Sequence, residues 1–128
     1  MKKFVLLGLI SLLMLGACNA TPPTDPPTIH ELTVVPDNVQ KNIVSNDRIQ
    51  LLHEKDAPYY LVYYSKGNVL ASITAERNRL IIQLEEGSEQ RKEAQPYVFK
   101  ITVKNPELDT IDLRINGQST PIDRMTIM

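Results

Sequence analysis

From Ile29 onward, apolar and polar positions alternate with a period of two. Tyr97, Phe99, Ile101 and Val103 interleave with Val98, Lys100, Thr102 and Lys104. Leu80, Ile82 and Leu84 interleave with Arg79, Gln83 and Glu85, with Ile81 interrupting the polar side. Ile111, Leu113 and Ile115 oppose Asp112, Arg114 and Asn116, while Val69, Ala71, Ile73 and Ala75 oppose Ser72, Thr74 and Glu76. Successive side chains on a strand point to opposite faces, so each run predicts a strand with one buried and one wet face. Such alternation is the signature of antiparallel pairing, because buried parallel strands are apolar on both sides.

The punctuation between the runs is consistent with strands. Asn116-Gly117 separates two short runs and suits a type I′ hairpin turn, whose central residues both need positive φ. Ser65-Lys66-Gly67-Asn68 and Arg77-Asn78 divide Tyr59–Tyr64, Val69–Glu76 and Arg79–Glu85, which predicts a three-stranded meander. Glu86–Gln95 is charged without an apolar stripe and reads as a solvated loop. Between Asn38 and Asp56 the pattern permits a short helix capped by Asp47 or a strand over Arg48–His53, and the strand is the preferred reading. Seven or eight short strands and no long helical pattern predict an all-β fold, a small antiparallel sandwich of immunoglobulin-like type or a barrel. The chain has no tryptophan and one cysteine, so the antibody-type hallmarks are missing.

The N-terminus follows a different pattern. Lys2 and Lys3 precede the apolar stretch Phe4–Leu15, and small residues lead to Cys18. This is the layout of a secretory signal peptide, and it is shorter than the roughly 20 apolar residues of a membrane span. Leu15-Gly16-Ala17-Cys18 resembles the lipobox of bacterial lipoproteins. The resemblance implies a diacylglyceryl group, carrying chains such as palmitate, on the Cys18 sulfur and cleavage before that residue. Asn19 rather than Asp follows, so the usual inner-membrane retention signal of two-membrane bacteria is absent. In general layout the chain is similar to the small lipoproteins of Gram-positive bacteria.

The expected organisation is a leader at 1–17, a lipidated tether at 18–28 and one all-β domain at 29–128. Four prolines among the ten residues Asn19–Thr28 favour an extended spacer of ~3.1 Å per residue. Without Lys2 and Lys3 the chain carries three more acidic than basic residues, which argues against nucleic acid and against electrostatic membrane binding. A diacyl anchor suffices alone, since two chains make attachment stable.

Groups that could do chemistry are scattered along the sequence. His30 and His53 have no metal-ligand spacing, and no nucleophile elbow or phosphate-cradling loop occurs. Glu85-Glu86 and Asp109/Asp112 read as surface carboxylates, and His53-Glu54-Lys55-Asp56 as a charged loop. Asp37-Asn38 and Asn46-Asp47 lack the ligand series of a calcium loop. No catalytic, cofactor or metal site is therefore expected.

Four of the five tyrosines fall in Tyr59-Tyr60-Leu61-Val62-Tyr63-Tyr64. Tyr59 and Tyr63 share a face with Leu61, expected to be core. Tyr60 and Tyr64 are the candidate contact residues, with burial of that face in a second layer as the alternative. The function expected is a non-enzymatic, monomeric, extracytoplasmic lipoprotein. It would be held to the cell membrane through Cys18 and would bind an envelope protein or wall polymer. The alternative is an inhibitor or accessory subunit of an envelope enzyme. Cys18→Ala is expected to abolish lipid attachment while leaving the β domain folded. Detergent-phase partitioning checks this, and a variant that still partitions with membranes would contradict it.

Overall fold

Strands form where the alternation is strongest. The computed structural model describes residues 26–55, 58–104 and 110–128. In chain order the elements are β1 (Thr28–Glu31), α1 (Asp37–Gln40), β2 (Ile49–His53), β3 (Tyr59–Ser65), β4 (Val69–Glu76), β5 (Arg79–Glu86), β6 (Gln95–Thr102), β7 (Thr110–Ile115), β8 (Gln118–Ser119) and β9 (Arg124–Ile127). The leader, Cys18 and most of the tether lie outside the described residues, and β1 already takes in Thr28.

Two sheets make up the sandwich. Sheet A runs in the order β1-β6-β3-β2-β9 and sheet B in the order β4-β5-β7-β8. The all-β sandwich is as expected, but the pairing is mixed, because β2–β9 and β5–β7 are parallel. Nor is the strand order that of an immunoglobulin domain, in which the first, second, fifth and fourth strands share a sheet. The expected meander is also incomplete. β4 and β5 form the predicted hairpin, but Ser65–Asn68 carries the chain from sheet A to sheet B. Gly67 is required at that crossing, since an added Cβ would lie 2.5 Å from the Gly87 carbonyl oxygen and 2.6 Å from that of Ser88.

The period-two positions meet between the sheets. Leu51, Leu61, Tyr63, Phe99 and Ile101 of sheet A pack with Val69, Leu80, Ile82, Leu84 and Leu113 of sheet B, all nearly or wholly buried. A second apolar layer lies on the opposite face of sheet A, where Leu52, Tyr60, Val62 and Val98 are covered by Leu32, Val35, Val39 and Ile43. This cover is an irregular segment with one helical turn, α1, which follows Pro36 and buries Val39 completely. Gln50 fixes one end of it. The carboxamide is fully buried; it accepts from Val44 N at 2.9 Å and donates to the carbonyls of Val44 at 2.5 Å and Asp47 at 2.8 Å. A buried amide with these partners offsets the desolvation that would otherwise oppose its burial.

Sheet A is therefore apolar on both faces, so truncations on either side should be severe. Phe99→Ala is expected to cost about 3–5 kcal/mol and Leu52→Ala, on the opposite face, about 2–5 kcal/mol. Lys100→Ala should cost about 0.5 kcal/mol. Urea denaturation of the three variants checks the layering, and a mild Leu52→Ala would contradict it.

Candidate functional site

The inward alternation of two strands ends in polar residues at the same place. On β3, Tyr59, Leu61 and Tyr63 lead to Ser65, and on β5, Leu80, Ile82 and Leu84 lead to Glu86. Glu86 thus reaches the margin of the core and stands 19% exposed. Its Oε1 accepts from the Tyr63 hydroxyl at 2.9 Å, and its Oε2 accepts from the Ser65 hydroxyl. Arg48, just before β2, donates to Tyr63 OH at 2.6 Å, lies over the Tyr63 ring at 5.0 Å and pairs with Glu86 at 3.4 Å. Four side chains thereby tie sheet A to sheet B around one carboxylate.

Burial pushes the Glu86 carboxyl upward, but the hydrogen bonds from Ser65 and Tyr63 and the charge of Arg48 outweigh it and hold it below the usual range. The Tyr63 hydroxyl is pushed up to about 12, first by burial and next by donating to Glu86. Both oxygens of the carboxylate face donors of the same chain, and Tyr63 and Ser65 are 0% and 2% exposed. The cluster is therefore a clamp between the sheets. The sequence did carry a signal for it, since Glu86 continues the inward period of β5, although the doublet Glu85-Glu86 reads as surface.

A second polar knot stands beside the clamp. Arg91 reaches back from the 87–94 segment and donates to Gly67 O at 2.7 Å and Tyr97 OH at 2.9 Å. Tyr97 OH in turn donates to Gly67 O at 2.8 Å. The Glu86–Gln95 stretch is thus pinned at Arg91 and is not wholly a solvated loop. On the outer face of sheet B, Asp112 accepts from Arg114 at 2.8 Å and from Ser119 at 3.0 Å, with Arg79 at 3.9 Å. The Arg114 hydrogen bonds lead the effects that hold this carboxyl below its ordinary value. Ile81 sits on this face in register with Asp112, and is 3% exposed despite facing outward.

The candidate residues from the sequence fall apart in space. Tyr60 is 7% exposed beneath the cover segment and Tyr64 is half-buried beside it, so the Tyr60/Tyr64 face is the second apolar layer and not an open surface. His53 stacks on Tyr59, with ring centroids 4.1 Å apart and planes 8° from parallel. Asn38 donates to Glu54 at 2.8 Å, and Asp47 is paired with Arg124, so both are engaged within the chain. Asp56 and Asp109 lie outside the described residues. Among the described residues no group of three or more His, Cys, Asp or Glu is placed to hold a metal ion, and no helix is long and apolar enough to cross a membrane. An open depression of about 630 Å³ at the β4–β5 turn has Glu76, Arg77 and Arg79 among its lining residues, a rim of mixed charge.

The surface that stands out is the β9 margin of sheet A. Met125 and Ile127 are in register with Leu51 and His53, so they share the face that sheet B covers elsewhere. At β9 that cover has ended, and the two side chains are 66% and 80% exposed. No strand among the described residues lies beyond β9. Comparison of the chain with protein-family models, with curated proteins and with solved structures gave no match.

The clamp makes stability depend on pH in two windows. The Glu86 contribution is complete above its ordinary value of 4.5 and is lost as pH falls through the lower folded value. That of Tyr63 is complete below 10.0 and is lost as pH rises toward about 12. Tyr63→Phe should cost about 1–3 kcal/mol by taking a donor from a carboxylate at the core margin. It should also abolish most of the alkaline loss and narrow the acid one. Urea titrations at several pH values check this, and an unchanged acid profile in the variant would contradict it.

Proposed function

We propose that the protein is a membrane-anchored extracytoplasmic lipoprotein whose β-sandwich is a non-enzymatic module that binds an extended segment of an envelope protein along β9. The anchor rests on Leu15-Gly16-Ala17-Cys18. The single observation that supports the binding mode is the pair Met125 and Ile127, exposed on an edge strand. An edge strand presents unpaired backbone groups to a further strand, and alternate apolar side chains give such an added strand its specificity. The sole charged side chain of β9, Arg124, is already paired with Asp47. The pairing offsets part of the one charge that the strand itself carries.

The other margins are less suited. β8 has two residues, β1 carries His30 and Glu31 and runs beside β4, and the outer face of β4 exposes a single large apolar residue, Leu70 at 71%, followed by Ser72, Thr74 and Glu76. A wall polymer is the weaker reading of the occupant. Stacking against the sugars of such a polymer needs an open aromatic face, whereas Tyr60 and Tyr63 are buried and Tyr59, Tyr64 and Tyr97 are half-buried. An inhibitor or accessory role is the same binding mode with an enzyme as partner.

The test is in-cell crosslinking of the anchored protein from a photoreactive residue at position 126, followed by identification of the captured protein. Met125→Lys with Ile127→Lys should reduce capture by about tenfold or more, as loss of apolar anchors does at interfaces. The double variant should melt with the native domain, because exposed positions contribute within about 0.5 kcal/mol. Unchanged capture would overturn the β9 assignment, and release of the protein by Cys18→Ala without loss of capture would separate anchoring from binding.

A further inference from the structure

The Asn116-Gly117 turn has chemistry that its role in the hairpin does not use. Asn116 stands at φ 51° and Gly117 at φ 84°, both exposed, in the left-handed conformations that a type I′ turn requires. Asn-Gly is also the dipeptide at which the next backbone nitrogen most readily reaches the side-chain carbonyl, because glycine has no Cβ in the way. Around Gly117 nothing lies within 4 Å of where a Cβ would be, so the turn itself offers no steric protection.

The carboxamide, however, is held. Its Oδ1 accepts from Glu86 N at 2.9 Å, and its Nδ2 donates to Glu86 O at 3.4 Å. The Asn116 backbone N–H donates to Leu84 O at 2.8 Å. The side chain therefore acts as one more rung between β7 and β5, taking both backbone groups of Glu86 just past the last paired residues, Leu84 and Ile115. Any attack by Gly117 N that expels Nδ2 breaks the bond to Glu86 O.

We propose that Asn116 is a deamidation site that the sheet keeps closed, and that it opens only when the β7–β8 hairpin detaches from the end of β5. In the reaction the Gly117 backbone nitrogen, losing its proton, attacks Asn116 Cγ. The Cγ–Nδ2 bond breaks, and ammonia leaves. Water then opens the resulting succinimide at either carbonyl to give aspartate or isoaspartate. The net change is one water consumed and one ammonia released, with no oxidation or reduction. The product cannot re-form the whole rung: aspartate can still accept from Glu86 N, but an oxygen replaces the donor that faced Glu86 O. The conversion thus marks irreversibly the molecules in which an opening led to attack.

The full chain, purified in detergent, is incubated in mildly alkaline buffer with and without urea. The peptide spanning the turn is then assayed for the mass gain of amide-to-acid conversion and for isoaspartate. Native protein should convert at least about tenfold more slowly than the unfolded chain, as local protection by a hydrogen-bonded sheet requires. Equal rates would overturn the proposal. A second comparison sets Glu86→Pro, which removes the N–H donated to Asn116, against Glu86→Ala, which removes only the clamp carboxylate. Faster conversion in the proline variant supports the rung as the closure, and equal rates in two folded variants overturn it. Should the proline variant not fold, conversion of the native chain is followed in urea below its unfolding midpoint. There it must rise in step with amide exchange at Glu86 and Asn116, and a flat rate against rising exchange overturns the proposal.

Discussion

A strand apolar on both faces forces a cover onto each side of the sheet that contains it, and β3 is such a strand. Leu61 and Tyr63 face sheet B, while Tyr60 and Val62 face the segment that precedes β2. That segment is too short and too irregular to form a sheet, so it is held by apolar contacts and by the Gln50 carboxamide. With β3 at the centre of sheet A, the flanking strands inherit the same demand: Leu51 and Leu52 on β2, and Val98 and Phe99 on β6, also face opposite covers.

Where the two sheets close at one end, apolar contact gives way to charge. Burial alone would make Glu86 a liability, because a carboxylate in an apolar margin tends to neutralise. Three donors reverse that tendency, two of them on β3 across the gap between the sheets and the third on the residue before β2. Glu86 also offers its backbone to Asn116, so the end of β5 is where the hairpin, the inter-sheet clamp and the Ser65–Asn68 crossing all meet.

Period two was legible wherever one face is wet. Phe99 with Lys100, Ile82 with Gln83, and Leu113 with Arg114 announce their faces directly. The tyrosine run did not, because a strand buried on both sides shows no alternation, and the apolar residues that cover it, Leu32, Val35, Val39 and Ile43, are spaced by three, four and four as on a helix although only Asp37–Gln40 is helical. The parallel pairs were invisible for a related reason. β5 and β7 keep an outer face bearing Gln83 and Arg114, so they alternate as antiparallel strands do. The exposed pair on β9 was hidden in a segment too short for a pattern to be read.

Sheet A also has a mechanical sense. Its two margins are β1, nearest Cys18 in sequence, and β9, with three strands between them, a width of about 19 Å at ~4.8 Å per strand. A load between the proposed anchor on Cys18 and the proposed partner on β9 would cross the sheet from rung to rung and would not run along any one strand. The joints then bear it in series, so the assembly is only as strong as its shortest ladder. That is shared by β1–β6 and β2–β9, each with four residue pairs, while β3–β6 between them has seven. Under tension the margins would yield and the doubly covered centre would stay intact.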